Sequence, residues 1–132
     1  MKRLVTVLVF VAGILSANGV LAQLETRSSS AGGVTVKVTP KVLTSDAPVW
    51  EFSIVLDTHT QSLSDDLLKT ASIVDPSGAR RYPTAWQGAE AGGHHREGVL
   101  RFDAIKPYPA AVELQIERAG ERTSRAFRWD LK

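Results

Sequence analysis

The fold is decided by two stretches of alternating sequence, VTVKVT at residues 34–39 and WEFSIVLD at residues 50–57. In both stretches an apolar residue occupies every second position, so one face of an extended strand is apolar. Pro40 ends the alternation of the first stretch. We therefore expect two half-buried β-strands, each with one face packed against a hydrophobic core.

The rest of the chain repeats this pattern in short segments that are separated by turn residues. The sequence DPSG at residues 75–78 suits a type I turn, and it predicts a hairpin between residues 71–74 and 79–82. The one helix-like patch covers residues 64–69, where a serine is able to cap and two acids follow it. Further strands are expected at residues 99–102, 112–117 and 123–131.

This pattern indicates the architecture of the domain. About seven short strands with turns between them predict an all-β fold, an antiparallel immunoglobulin-like β-sandwich with at most one short helical turn. A small barrel is the alternative architecture. The aromatic residues at alternating positions are expected to form the core and not a ligand platform: Trp50, Phe52, Phe102, Phe127 and Trp129.

The first 22 residues have the composition of a secretory signal peptide. Lys2 and Arg3 precede an apolar run at residues 4–15, and a stretch of small residues ends at Ala22. The apolar run of about 12 residues is shorter than the roughly 20 that a membrane-spanning helix needs. We therefore expect cleavage after Ala22, a periplasmic or secreted product, and no transmembrane segment in the mature chain.

The mature chain is expected to contain a flexible tether and one folded domain. Residues 23–33 are rich in serine and glycine and lack apolar periodicity, which is typical of a flexible segment. Residues 34–132 carry the strand pattern and are assigned to the β-sandwich domain. We expect this domain to be monomeric.

The charge and sulfur content of the mature chain exclude several classes of function. The full chain has 16 Lys and Arg against 14 Asp and Glu, and removal of Lys2 and Arg3 leaves 14 of each sign. Such a balanced chain without a basic stripe does not fit a nucleic-acid partner. Because the chain has no cysteine and its only methionine is Met1, a blue-copper site is excluded and a Cu(I) carrier is disfavoured.

All three histidines lie in two short segments. His59 follows Asp57 at the end of one predicted strand, and His94 and His95 lie in a glycine-rich loop at residues 88–98. Imidazole and carboxylate groups are usual ligands of borderline divalent ions, and four donors complete a closed zinc site. We therefore name Asp57, His59, His94 and His95 as candidate ligands of Cu(II) or Zn(II).

A structural role is the alternative for the same residues. Adjacent histidines in a glycine-rich loop can hydrogen-bond the loop to itself, and Asp57 and Thr58 can cap a turn after the strand. In that case the domain would bind a protein partner, and the histidines would only organise the loops. Arg96 is expected on the solvated surface.

No catalytic motif is evident. The chain has neither Gly-x-Ser-x-Gly nor His-Glu-x-x-His. Glu113 and Glu117 share a strand face, but their separation of roughly 13 Å is too large for a glycosidase pair. The sequence therefore favours a non-catalytic binding or accessory module of the cell envelope, whose partner is an unknown envelope protein or a metal ion.

Three segments carry a resemblance to other proteins. DTHT at residues 57–60, GGHHREGVLRF at residues 92–102 and FRWDL at residues 127–131 resemble an uncharacterised group of small exported bacterial β-sandwich proteins. The resemblance implies that the two histidine segments occur together, which favours metal or partner binding. It implies no activity and no catalytic residue.

The first prediction concerns export. When the full chain is expressed in a bacterium with a Sec system, N-terminal sequencing of the exported product should give a sequence that starts near Gln23, because Ala22 completes the small-residue cleavage pattern. A full-length product that stays in the cytoplasm would contradict the prediction.

Overall fold

A computed structural model describes residues 24–132, so the predicted signal peptide lies outside the described residues. The elements, in chain order, are β1 Arg27–Ala31, β2 Val34–Val42, β3 Val49–Thr58, α1 Leu67–Thr70, β4 Ala71–Val74, β5 Arg80–Arg81, β6 Ala85–Gly88, β7 His95–Asp103, β8 Ala111–Ile116 and β9 Arg125–Asp130. A large sheet has the strand order β1-β2-β3-β7-β6, and a small sheet has the order β5-β4-β8-β9. Within the described part of the chain, no helix is long and apolar enough to cross a membrane.

The two sheets confirm the predicted all-β sandwich. All strand pairs are antiparallel. The orders β2-β3-β7-β6 and β4-β8-β9 match the ABED and CFG sheets of a constant-type immunoglobulin domain. β1 and β5 lie outside this set of seven and extend one sheet each, so the sandwich has nine strands.

The predicted tether at residues 23–33 is wrong for most of its length, because residues 27–31 form β1. This strand pairs with β2 through a two-residue turn in which Gly32 and Gly33 have φ angles of 55° and 78°. Two positive φ angles are the geometry that favours glycine in a tight hairpin. β1 lies at the sheet edge and buries little side-chain surface, so its sequence lacks the apolar alternation by which the other strands were predicted.

The predicted glycine-rich loop at residues 88–98 is also shorter than expected. Gly88 ends β6 and Gly98 lies inside β7, where the two residues are directly paired. A Cβ atom on Gly98 would lie 2.7 Å from both the Trp86 side chain and the Gly88 backbone. Glycine is therefore required here by the close packing of an indole against two strands, and not by loop flexibility.

Aromatic side chains join the two sheets, as the sequence predicted. Trp50, Phe52 and Phe102 of the large sheet and Phe127 and Trp129 of the small sheet are all at most 2% exposed. The ring of Phe52 lies 5.7 Å from that of Phe102 and 5.6 Å from that of Trp129. These separations are typical of favourable aromatic pairs, so Phe52 connects the two layers at the centre of the core.

A network of buried charges closes one end of the sandwich. The guanidinium of Arg118 donates two hydrogen bonds to Asp65, at 2.9 and 3.0 Å. The guanidinium of Arg125 donates two bonds to Glu121, both at 2.8 Å. Because Glu121 also contacts Arg118 at 3.3 Å, the four side chains form one continuous chain of ion pairs.

Arg125 extends this network to the large sheet. Its terminal nitrogens donate hydrogen bonds to the backbone carbonyls of Ser29, Ala31 and Val34, at 2.9, 2.9 and 3.2 Å. One side chain of β9 therefore holds the β1–β2 hairpin against the small sheet. A buried guanidinium needs this many acceptors to offset the cost of its desolvation.

The second prediction concerns the aromatic centre. Phe52→Ala should lower the free energy of unfolding by about 3–5 kcal/mol, since it removes a fully buried ring and leaves a cavity between the sheets. Denaturant unfolding of the mature protein measures this loss. As the control, Leu68→Ala on α1 should change stability by less than about 0.5 kcal/mol, because an exposed leucine contributes little packing. Equal losses in the two variants would contradict the assignment of the core.

Candidate functional site

The two histidine segments meet at one end of the large sheet. Asp57 of β3 is paired in register with His95, the first residue of β7. The amide of Thr58 donates a 2.9 Å hydrogen bond to the carbonyl of His94. The sequence could not show this contact, which results from the antiparallel pairing of β3 with β7.

Three side chains form a polar cluster on the outer face of this sheet. Nδ1 of His95 lies 2.5 Å from Oδ1 of Asp57, and Nε2 of the same ring lies 3.5 Å from Oε2 of Glu97. The intervening Arg96 is buried, so strand alternation directs His95 and Glu97 outwards. All three side chains are about half exposed or more. The cluster is therefore accessible to a ligand.

The carboxylates change the protonation of the imidazole. The hydrogen bond from His95 to Asp57 raises the pKa of the imidazole above its ordinary value of 6.5, and Glu97 contributes in the same direction. Partial desolvation opposes this rise. The imidazolium form is thus favoured at this end of the sheet.

The other two predicted ligands are not brought into this cluster. His59 lies beyond the end of β3, and His94 precedes β7. Within residues 24–132, no group of three or more His, Cys, Asp or Glu side chains is arranged to hold a metal ion. The predicted convergence of four ligands is therefore not found. One physical reason is that successive residues of an extended chain alternate in direction, which separates His94 from His95.

The segment that carries His59 is held by a turn. Thr58 Oγ1 accepts hydrogen bonds from the amides of Thr60 and Gln61, both at 3.2 Å, and donates one to the carbonyl of Gly33 at 2.9 Å. This confirms the expectation that Thr58 caps a turn after the strand. The turn ends the extended backbone before His59, so His59 does not share the strand face of Asp57.

Arg96 is buried and not solvated, which corrects the expectation from the sequence. Its side chain donates hydrogen bonds to the carbonyls of Leu63, Asp65 and Ala89, and it lies 5.7 Å from the ring of Trp86. These bonds tie β7 to the segment that crosses from one sheet to the other. The signal in the sequence was the period of two, because Arg96 has the same parity in β7 as the buried Leu100.

A second candidate surface lies along one side of the sandwich, where β1 and β9 are edge strands of their sheets. The amide of Leu131 donates a 2.7 Å hydrogen bond to the carbonyl of Ala110, the residue that precedes β8. By strand alternation, the backbone groups of Ala126, Arg128 and Asp130 point away from β8. These groups form an edge to which no further strand is paired within residues 24–132.

The edge lies in a groove between the two sheets, which we call the β1–β9 groove. Two shallow depressions meet at Ala126. One extends to Ser29 and Ala31, and the other extends to Arg27 and Asp130. The indole of Trp129 reaches under this groove and donates to the carbonyl of Glu25 at 2.8 Å. Its floor is therefore fixed by side-chain bonds between the layers.

Comparison with known proteins adds no assignment. No protein-family model, no curated protein and no solved structure matches this chain.

The third prediction concerns the pKa of His95. In an NMR titration, His95 should titrate above 6.5, and Asp57→Asn should lower its pKa because the carboxylate no longer stabilises the imidazolium. A folded-state pKa above the unfolded value stabilises the protein. That stabilisation is complete below pH 6.5 and is lost as the pH rises through the folded pKa. An unchanged titration in Asp57→Asn would contradict the contact.

Proposed function

We propose that this domain is a non-catalytic binding module of the cell envelope, which captures an extended segment of a partner protein in the β1–β9 groove. The observation that carries the proposal is the free edge of β9, where the backbone groups of Ala126, Arg128 and Asp130 point into the groove. An extended peptide can add to such an edge as a further strand, and its backbone hydrogen bonds then supply affinity.

The edge of β9 differs from the other edges of the sandwich. β5 is only two residues long, which protects its edge from pairing. β6 has four residues and ends at Gly88. β9 has six residues, and its exposed positions include the small Ala126. It therefore offers the longest free edge of the small sheet, with space for the backbone of a partner.

The charges around the groove indicate the chemistry of the partner. Arg27, Arg122 and Arg128 are exposed along its rim. Against them stand Asp130, which is also exposed, and Glu121, whose carboxylate already accepts bonds from Arg118 and Arg125. The net positive rim favours an extended segment with acidic residues at alternating positions.

The export that the sequence predicts is consistent with this proposal. A module outside the cytoplasm without cysteine must keep its fold by packing alone, and a rigid sandwich meets that requirement. We place its partner among the other proteins of the periplasm or cell surface. The domain itself is proposed to be a monomer when it is free.

The fourth prediction tests the groove directly. A displayed library of unstructured peptides is selected on the mature protein, and the recovered peptides should be acidic. When such a peptide is added, the largest NMR amide shifts should map to β9 and β1. Arg128→Glu should weaken binding, because it reverses a charge on the rim. The matched control is Arg81→Glu on β5, which makes the same charge change outside the groove.

Two further variants and one measurement complete the test. Ala126→Pro should abolish peptide binding and keep the fold, because proline removes an amide that faces the groove and is tolerated at edge strands. Sedimentation reveals whether a second copy of the domain occupies the edge instead. Shifts that map to residues 92–98, or equal binding by Arg128→Glu and Arg81→Glu, would reject the groove as the binding site.

A further inference from the structure

We propose that His95 and Glu97 together bind one divalent transition-metal ion, for which Zn(II) is the probe, with Asp57 as the residue that orients the imidazole. The site lies on the outer face of the large sheet at β3 and β7, and the β1–β9 groove lies at the β1 edge, which β2 separates from β3. The inference is therefore independent of peptide binding, and each proposal can fail without the other.

The separation of the two ligand atoms fits a shared metal ion. Nε2 of His95 and Oε2 of Glu97 are 3.5 Å apart. Two ligand atoms at about 2.0–2.1 Å from a tetrahedral zinc ion are themselves about 3.3 Å apart. The present separation thus needs only a small side-chain adjustment to place one ion between the two atoms.

Asp57 fixes the state of the imidazole that a metal requires. Its carboxylate lies at Nδ1 of His95, so the neutral ring keeps its proton on Nδ1 and leaves the lone pair on Nε2, beside Glu97. A carboxylate on the remote ring nitrogen is the usual partner of a metal-bound histidine, because it fixes the tautomer and the ring orientation. Asp57 is accordingly a positioning residue and not a ligand.

The pairing of the strands holds this arrangement in place. Asp57 is opposite His95, and on its other side it is paired with Thr35 of β2. Lys37 lies on the same face, because it pairs with Val55 and Val55 pairs with Glu97. The polar cluster thus has two carboxylates and one imidazole. Its formal charge is negative with His95 protonated, and it becomes more negative when His95 is neutral.

Two protein ligands leave the remaining coordination positions to water. Such an open site binds weakly, and we expect micromolar or weaker affinity. Because the proton and the metal compete for Nε2 of His95, binding should weaken as the pH falls. Imidazole and carboxylate donors favour Zn(II), Cu(II) and Ni(II) over Cu(I).

The fifth prediction is a calorimetric titration of the mature protein with Zn(II), at a pH at which the imidazole of His95 is neutral. The wild type should bind one ion saturably, and His95→Gln should abolish this binding. Asp57→Asn should weaken binding by about 10–100-fold, as loss of an outer-sphere carboxylate does in other sites. At this pH the imidazole is neutral in both proteins, so the difference does not arise from protonation.

The neighbouring histidine provides the matched control. His94→Gln removes an adjacent exposed imidazole and should leave Zn(II) affinity unchanged, because His94 lies outside the cluster. An NMR titration should show the Zn(II)-dependent shifts at the ring of His95 in the wild type. If no saturable binding occurs, or if His94→Gln weakens it as much as His95→Gln does, the proposed ligand pair is wrong. Denaturant unfolding of each variant confirms that a loss of binding is not a loss of the fold.

Discussion

The packing of Phe52 between Phe102 and Trp129 is the contact on which the rest of the structure depends. Antibody domains join strands B and F by a disulfide, whereas this chain has no cysteine. The corresponding strands β3 and β8 instead bury apolar side chains such as Ile54 and Leu114, neither of which is exposed. Without a covalent link, the relative position of the two sheets is set by the shapes of these side chains alone.

Arginine side chains connect the segments at the ends of the sandwich, beyond the apolar core. Arg118 and Arg125 join the two sheets through Asp65, Glu121 and backbone carbonyls, and Arg96 does the same for the segment that leaves β3. A guanidinium offers five donors in one plane, so a single side chain can satisfy several carbonyls of a non-repetitive segment. The loops at these ends are thereby ordered without any regular secondary structure of their own.

The alternating pattern of the sequence predicted the strands whose side chains alternate between core and solvent. It did not predict β1, whose pairing depends on backbone hydrogen bonds and not on buried side chains. The alternation in residues 50–57 placed Phe52 and Ile54 in the core correctly. β1 has a polar sequence and pairs through its main chain, so composition indicated a flexible segment instead. For the site, the sequence found Asp57 and His95 but not Glu97, since residues 88–98 were interpreted as a loop, and only the strand β7 shows that Glu97 shares a face with His95.

The register of β3 with β7 also determines on which face of the sheet the polar cluster lies. A shift of β7 by one residue relative to β3 would turn His95 and Glu97 towards the core and Arg96 and Leu100 towards solvent. Because Leu100 is fully buried and Arg96 is bonded to three carbonyls, such a shift would cost much of the stability of the domain. The core thus fixes which face carries the imidazole and the two carboxylates, although none of these three side chains contributes to the core.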